Sequence, residues 1–523
     1  MQWRRRARAW LAVAVLGAVA AWGAAAGAAA APQGPVLTVA SDNAISTLDP
    51  ILSGSDEVQY LANVYQGLVF ANPPGSKTPL SPELATSWSH SPDGLVWTFH
   101  LRRGVHFQDG SLMTAQDVVN SLKADIPQGG LLWSSVRRLV AAGPYTVRFY
   151  LRYPMRIDYI LTAEYNAWIV GPKGLKEPQS WFNAGHSDGT GPYEIASYHP
   201  GSQLVLRAMP DYWGGWHGRH FTTIVNDLVT QPAVQQELLL GDQAQVANGI
   251  PETGLRSVQA DPQLRVVVAP SNDYYIAYYN TRRKPLDNVL VRRALDYAIP
   301  YRAMIAVATG GYGRQMQGPL PYGVYPHDNS LPMYTTDLAK ARRLLAQAGY
   351  PHGGFTLTMT CTTDIPECGL FAPLMKENFA KIGVNLVIRT MSSDEGLAIA
   401  DGNPAKAQDI FILEDWPQYS DDWIDLYYNY NCYTPYQWNM SYYCNPAFDK
   451  LFQKANSLQV TNPAQAQRLY DQYQLDLLQA TPVAFLYDDR NVFVFNRSVG
   501  GFVNTPEYPA VIFYYNLYPN PTS

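Results

Sequence analysis

The sequence predicts a mixed α/β protein built from two or three domains. Its 523 residues exceed what a single hydrophobic core usually holds. Apolar residues make up 47% of the chain and charged residues 15%, which favours a large buried core over a disordered or nucleic-acid-binding chain. Segments with alternating apolar and polar residues are interleaved with segments of helical spacing, a pattern typical of α/β folds.

Residues 80–121 contain both patterns in order. Residues 95–101 alternate after the Asp93-Gly94 turn, which predicts a half-buried hairpin strand. Thr114 then precedes an apolar helical face, and Asp117 takes the third helical position of a capping box. Further along, residues 339–354 form an amphipathic helical pattern that Gly349 ends.

The N-terminus has the composition of a secretory signal peptide. Four arginines come first, and an apolar, alanine-rich run follows to residue 31. Removal of residues 1–31 takes away those four arginines and no acid, so the net charge goes from -5 to -9. An acidic mature chain argues against nucleic acid as a partner. We therefore expect an exported protein in the periplasm or on the outer side of the cytoplasmic membrane.

All four cysteines lie beyond residue 360: Cys361, Cys368, Cys432 and Cys444. The signal region thus offers no cysteine for a lipid anchor. Disulfides persist in exported proteins, and four cysteines allow three pairings. We favour the local pairing, first with second and third with fourth, because each bond closes a short loop rich in turn residues. A zinc site is the alternative, although neither spacing is the short one that such sites use.

A series of motifs in residues 80–121 has a fixed order. The pattern is Pro-x-Leu-Ala-x-x-Trp, an Asp-Gly turn, Phe-x-Leu-Arg, Phe-x-Asp-Gly and Thr-Ala-x-Asp-Val. Its residues are Pro82, Leu84, Ala85, Trp88, Asp93, Gly94, Phe99, Leu101, Arg102, Phe107, Asp109, Gly110, Thr114, Ala115, Asp117 and Val118. This series resembles the signature of the extracytoplasmic oligopeptide- and dipeptide-binding proteins (family 5) that feed ABC importers.

Later blocks resemble the same family in the same order, so the resemblance covers almost the whole mature chain. They are Tyr65-x-Gly67-Leu68, Gly189 to Tyr193, Pro210 to Gly215, Val291 to Leu295 and Lys381 to Val384. The resemblance implies a two-lobe fold of the periplasmic-binding-protein type (class II), with an extra subdomain in the first lobe and hinge strands between the lobes. The first lobe would be discontinuous, with residues 33–282 and 488–523, and residues 283–487 would form the second lobe.

Residues 410–444 concentrate acids and aromatics, and the resemblance makes them the candidate ligand site. The family has a Trp-x-x-Asp-Tyr-Pro-Asp-Pro element here, whose first Asp pairs with the α-amino group of a bound peptide. Asp415 is the closest match, and Asp421 and Asp422 are alternative anchors. Trp416 and Tyr419 flank the anchor, and we expect both to contact ligand through flat amphipathic rings.

The expected ligand is a longer peptide. Dipeptide-type relatives hold the peptide carboxylate with an Arg on the loop before the helix that leads to Lys-Ile-Gly. Here that loop, residues 360–373, contains no Arg or Lys and holds two cysteines instead. Backbone pairing along an extended peptide would then supply the affinity. The resemblance further implies an ABC permease as partner, a monomeric chain, no cofactor and no enzymatic activity.

Three alternatives compete with peptide binding. The same fold could stack an oligosaccharide on its aromatic residues, or bind nickel through His217 and His220 as some members of this fold family do. Residues 185–189 also satisfy Gly-x-Ser-x-Gly, which would make Ser187 the nucleophile of a secreted hydrolase. That motif requires a strand before Ser187 and a helix after it, and the flanking residues predict neither.

Overall fold

The computed structural model describes residues 34–41, 44–54, 56–73, 76–163, 165–250, 252–417, 419, 421, 423–432, 438–508 and 510–520. The expected signal peptide and Asp422 lie outside these residues. Within the described ranges, no helix combines the length and the apolar character that crossing a bilayer requires.

The strands follow in chain order. They are β1 (Val36–Ser41), β2 (Val69–Ala71), β3 (Leu80–Pro82), β4 (Ala85–His90), β5 (Val96–Leu101), β6 (Val136–Gly143), β7 (Thr146–Leu151), β8 (Tyr193–His199), β9 (Gln203–Ala208), β10 (Thr223–Leu228), β11 (Val246–Ala247), β12 (Leu264–Tyr279), β13 (Arg314–Gln315), β14 (Phe355–Thr362), β15 (Val384–Met391), β16 (Ile410–Asp415), β17 (Val483–Asn496), β18 (Val499–Gly500) and β19 (Tyr518–Pro519).

The α-helices are interspersed among these strands. They are α1 (Val58–Leu61), α2 (Ala115–Asp125), α3 (Ile157–Ile160), α4 (Gln179–Asn183), α5 (Pro232–Leu240), α6 (Glu252–Ala260), α7 (Val289–Ala298), α8 (Tyr301–Ala308), α9 (Leu338–Gln347), α10 (Pro366–Ala380), α11 (Ser393–Ala400), α12 (Trp423–Tyr430), α13 (Pro446–Asn456) and α14 (Pro463–Ala480). Short 3-10 helices cover Gly130–Trp133, Gly174–Lys176 and Tyr514–Asn516.

One sheet of 11 strands runs through the protein in the order β15-β14-β16-β12-β17-β11-β1-β10-β9-β8, with β13 beside β17. Strand β14 pairs in parallel with β15 and β16, and β1 pairs in parallel with β10 and β11. The antiparallel pair β12 and β17 joins these two groups. The chain is thus two α/β lobes on one sheet, and the two long strands form the hinge between them.

The hinge strands pair over most of their length, from Leu264 opposite Asn496 to Tyr278 opposite Val483. The predicted lobe boundary at 282/283 lies just after β12, and the one at 487/488 lies inside β17. Both boundaries remain predictions, because these strands contribute buried residues to the cores of both lobes.

Separate cores support the two lobes. One surrounds β1 and β8–β10, and another lies between β14–β16 and the helices α7 and α10. The extra subdomain is the antiparallel sheet β4-β5-β7-β6, against which α2 packs. Its core is continuous with buried residues of α12, α13 and α14. The subdomain of the first lobe therefore packs directly against helices of the second.

The local predictions for residues 80–121 are confirmed. Strand β5 pairs with β4 across the turn, where Gly94 has a φ of 69°, a conformation that glycine tolerates best. The Thr114 backbone N–H donates to the Asp117 carboxylate at 2.9 Å at the start of α2. Both patterns involve residues that are close together in the sequence, and the protein forms both the turn and the helix cap that they predict.

The favoured cysteine pairing is the one in the structure. Cys361 is bonded to Cys368 and Cys432 to Cys444. The first bond ties the end of β14 to the first turn of α10. The second closes residues 432–444, the final part of the predicted ligand segment.

Candidate functional site

A cavity of about 300 Å³ lies between the two lobes. Gly54 and Tyr165 line it from the first lobe, and residues at the ends of β16, α11 and α12 line it from the second. The lining residues of the second lobe are Asp364, Ser393, Leu397, Leu413, Glu414, Asp415, Trp416, Ile424, Asp425, Tyr428, Asn429 and Trp438. Ligand pockets favour this kind of location, where two rigid units meet.

The lobes touch beside this cavity. The Leu131 backbone N–H of the first lobe donates to the Tyr428 hydroxyl of the second at 3.4 Å. Elsewhere, the Gly94 turn of the subdomain lies against Val460, which follows α13 and lines a different cavity. Because residues of both lobes line the cavity described above, a ligand in it would contact both lobes at once.

Asp415 is the last residue of β16 and stands opposite Tyr274 of the hinge strand β12. Its carboxylate accepts hydrogen bonds from the Trp416 backbone N–H at 3.0 Å, Asn429 Nδ2 at 2.9 Å and the Tyr274 hydroxyl at 3.0 Å. Burial raises its pKa above the usual range, and these hydrogen bonds oppose the rise. An ionised carboxylate has about four acceptor positions, so one remains for a ligand.

The structure places the predicted ligand contacts in two different environments. Asp415 and Trp416 meet at the cavity. Tyr419 and Asp421 are each 1% exposed and do not line it. Asp421 instead accepts from Gln459 Nε2 at 3.4 Å and forms a β-bridge with Tyr325. Ligand contact by any of these residues remains a prediction, and Asp415 and Trp416 are the two that the cavity favours.

The sequence did not single out Glu414, although it is adjacent to Asp415. Successive strand residues face opposite sides of a sheet, so Glu414 points away from the Asp415 side while still lining the cavity. Burial raises its pKa well above the usual range, and the nearby carboxyl groups of Asp273, Glu367 and Asp489 raise it further. The acid-rich segment was the available signal, but only the tertiary structure shows that both consecutive acids at the end of β16 line the cavity.

Two other acids come to the cavity from different elements. Asp425, on α12, shares the Tyr274 hydroxyl with Asp415, since that oxygen lies 2.9 Å from Asp425 Oδ2. Asp364 lies in the loop that the Cys361–Cys368 disulfide closes and accepts a hydrogen bond from the Ser393 hydroxyl. Asp364 is more than 50 positions from Asp415 in the sequence, so no local pattern could have linked them.

The alternative sites have ordinary structural explanations. The Ser187 hydroxyl accepts from the Ile195 backbone N–H at 3.1 Å, in a loop between α4 and β8 rather than between a strand and a helix. His220 has one ring nitrogen 2.9 Å from the Tyr515 carbonyl and the other 2.8 Å from the His217 carbonyl. In the part of the chain that the structure describes, no group of three or more His, Cys, Asp or Glu could hold a metal ion.

The two lobes, the hinge strands and the cavity between them define a two-lobe binding protein. A family profile described as "Bacterial extracellular solute-binding proteins, family 5 Middle" matches residues 79–437. The chain belongs to this family of ABC-importer solute-binding proteins.

Individual relatives agree with that assignment. The chain is 29% identical over 487 residues to the glutathione-binding protein GsiB of Pectobacterium atrosepticum, covering 90% of this chain and 91% of the relative. It is 26% identical over 472 residues to the probable D,D-dipeptide-binding periplasmic protein DdpA of Escherichia coli, covering 88% and 90%. The periplasmic binding protein DppA of Helicobacter pylori, solved with the peptide STSA, has the same fold, with a TM-score of 0.78 at 24% identity, covering 93% and 98%.

Proposed function

We propose that this protein binds an oligopeptide outside the cytoplasmic membrane, in the cleft between its lobes, and delivers it to an ABC permease. The observation that carries the proposal is the inter-lobe cavity with the partly buried carboxylate of Asp415 at its wall. A carboxylate in such a place gains from an ammonium partner, because a charge-assisted hydrogen bond offsets its desolvation. The α-amino group of a peptide is such a partner.

Lobe closure over the ligand is the proposed mechanism. A ligand shifts the equilibrium toward the closed form only by its differential affinity for that form. Contacts from both walls, Gly54 and Tyr165 on one side and Asp415 and Trp416 on the other, would supply that difference. Strands β12 and β17 would absorb the rotation as the hinge. The closed surface would then dock on the permease as a monomer.

The cavity volume bears on ligand length. About 300 Å³ is at the small end of the range for ligand pockets, which favours a ligand of a few residues. The longer peptide expected from the sequence would need the lobes to stand further apart. The named ligands of the relatives, glutathione and dipeptides, are also short.

An oligosaccharide is the second candidate. Tyr165, Trp416, Tyr428 and Trp438 all line the cavity, and aromatic faces can stack on sugar rings without an amine anchor. We propose no catalytic role for the chain. The expected export is likewise a proposal, which rests on the composition of residues 1–31.

Native mass spectrometry of the purified protein, followed by a thermal-shift screen, tests the proposal. The screen would compare peptides of two to about nine residues with oligosaccharides of similar mass. Because a ligand that binds only the folded state raises the melting temperature, stabilisation by peptides alone would support peptide capture. Stabilisation by sugars alone would overturn it in favour of the second candidate.

A further inference from the structure

The charged residues that are described in the lining of the cavity are all acidic. Four carboxylates line it, from Asp364, Glu414, Asp415 and Asp425, and the described lining residues include no Lys, Arg or His. Asp415 and Asp425 both approach the single Tyr274 hydroxyl, which has only one proton to donate. The wall is therefore more acidic than one amine anchor requires.

Three further acids interact electrostatically with Glu414: Asp273, Glu367 and Asp489. Burial raises the pKa of Asp489 to about 7 and that of Asp273 to about 6, and each has further acids nearby. Burial also raises the pKa of Glu367, in the first turn of α10. Arg490 is the one basic neighbour that affects this described group, and it acts on Asp489. These raised pKa values mean that the carboxyl groups stay protonated to higher pH than usual, and a cation bound beside them would favour their ionised forms.

The hydroxyl of Tyr487 is a second, independent sign that this cluster can take a further hydrogen-bonding partner. Tyr487 pairs with Tyr275 across the hinge strands, and Tyr275 pairs with Glu414, so the three side chains lie in one row on the same face of the sheet. Tyr487 is fully buried, and its hydroxyl has no hydrogen-bond partner among the described residues. Burial raises the pKa of Tyr487 well above its usual range, and the carboxyl groups of Asp489, Glu367 and Glu414 raise it further. Buried polar groups are normally paired, so the row ends in an unfilled hydrogen-bonding position.

The loop beside these acids contains no basic residue that could neutralise them. Residues 360–373 include Asp364 and Glu367 and contain no Arg or Lys, and the Cys361–Cys368 disulfide restrains the loop beside the cavity. A free carboxylate at this end of a ligand would meet Asp364 and Glu414 and no basic side chain of the described lining. A cation would stabilise the ionised forms of these acids.

We propose that the cleft selects organic cations with at least two positive charges, one held by Asp415 and the second by Glu414 together with Asp364 and the acids that interact with Glu414. The inference rests on the proposed function, since it names the charge class of the solute bound at that same cavity. Suitable ligands are di- or triamines, and short peptides that contain Lys or Arg and have a blocked carboxyl terminus. Glutathione, with two carboxylates and one amine, is the wrong charge class.

Isothermal titration calorimetry with matched ligands tests the selection. The ligands are Ala-Lys-Ala amide, the same peptide as the free acid, Ala-Glu-Ala, spermidine and glutathione. We expect the amide to bind about tenfold or more tightly than the free acid, because the acid places an uncompensated carboxylate against Asp364 and Glu414. We expect no heat from glutathione.

Glu414→Gln is the decisive variant, and Glu237→Gln, on the exposed surface of α5, is its matched control. Glu414→Gln should remove most of the preference for the amide and should also raise the melting temperature of the ligand-free protein. Loss of function combined with gained stability is the signature of a site strained for binding. A purely structural glutamate would give a lower melting temperature and an unchanged preference. Glu237→Gln should match the wild type in both measurements.

The possible results distinguish cation selection from the peptide capture on which it rests. Equal affinity for amide and acid, or tighter binding of glutathione, would overturn cation selection and leave peptide capture standing. Binding of spermidine without any peptide would support cation selection and overturn peptide capture. Binding of none of the five ligands would overturn both.

Discussion

Replacement of Asp415 by Asn tests the proposed amine anchor most directly. The substitution keeps the size of the side chain, removes its charge and turns one acceptor into a donor. A ligand ammonium would lose its charged partner in a desolvated site, a change that costs about 2–5 kcal/mol, or about 30-fold to about 5,000-fold in Kd.

The same substitution also affects stability. In the protein, Asp415 accepts from Trp416, Asn429 and Tyr274, and an Asn cannot accept from all three. At least one of these three donors would then face the NH2 group of the new Asn, which would lower the free energy of unfolding by about 1–3 kcal/mol. From the sequence alone we would expect Asp415→Asn to leave the melting temperature nearly unchanged. The hydrogen bonds lead us to expect a moderate decrease instead.

A pair of peptides separates the effect on the anchor from the effect on stability. Calorimetry would compare a lysine-containing tripeptide amide with its N-acetylated twin, on the wild type, on Asp415→Asn and on Asp211→Asn, which removes an exposed acid. The wild type and the control should prefer the free amine, and Asp415→Asn should show no preference. If Asp415→Asn keeps the wild-type ratio of the two affinities, Asp415 is not the amine anchor.

Three further predictions concern stability and can be measured by urea denaturation. Replacement of both Cys361 and Cys368 by Ala should lower the free energy of unfolding by about 2–3 kcal/mol, because the bond closes a loop of about seven residues in the unfolded chain; a loss under about 1 kcal/mol would contradict this. Buried Arg292 donates to three backbone carbonyls, two of them at the C-terminal end of α14. Arg292→Lys should therefore lose about 2–4 kcal/mol, whereas Arg293→Lys, on the more exposed face, should lose less than about 1 kcal/mol. Burial raises the pKa of Glu83 from 4.5 to about 8, against opposing hydrogen bonds, so the folded state keeps a proton that the unfolded state releases between these values. Stability should fall as the pH rises through that window, by at most about 1.4 kcal/mol per pH unit from this group, and Glu83→Gln should reduce the slope. An identical slope in wild type and variant would show that Glu83 does not contribute.

Local sequence signals were reliable where the structure they specify is local. The Asp93-Gly94 turn and the alternation that follows it specify β5, since both concern residues within a few positions of one another. The same holds for the Asp117 cap of α2. For the cysteines, the short separations of 7 and 12 positions favoured the observed pairing without excluding the other two. The order of the family motifs also implied the two-lobe fold, through the resemblance to the family 5 binding proteins.

The candidate site was predicted only in part. The sequence pointed to the acid-rich segment and to Asp415, with Asp421 as an alternative anchor, and the structure buries Asp421 beside Gln459 and Tyr325. Whether an acid lies in the cavity or beneath it depends on where β16 ends and on the packing of α12–α14. Glu414 and Asp415 face opposite sides of the sheet and both line the cavity, so composition cannot decide the matter.

The sequence by itself determined the class of fold and the family, because those features depend on short-range patterns and their order. It favoured the cysteine pairing that the structure has, and its ligand segment remains a prediction. Only the tertiary structure decided that β12 and β17 pair from Leu264 opposite Asn496, and that Asp364, Glu414, Asp415 and Asp425 meet at one cavity. Contacts between residues far apart in the chain depend on strand register and on how the two lobes pack. The set of carboxyl groups that lines the cavity is a property of that packing.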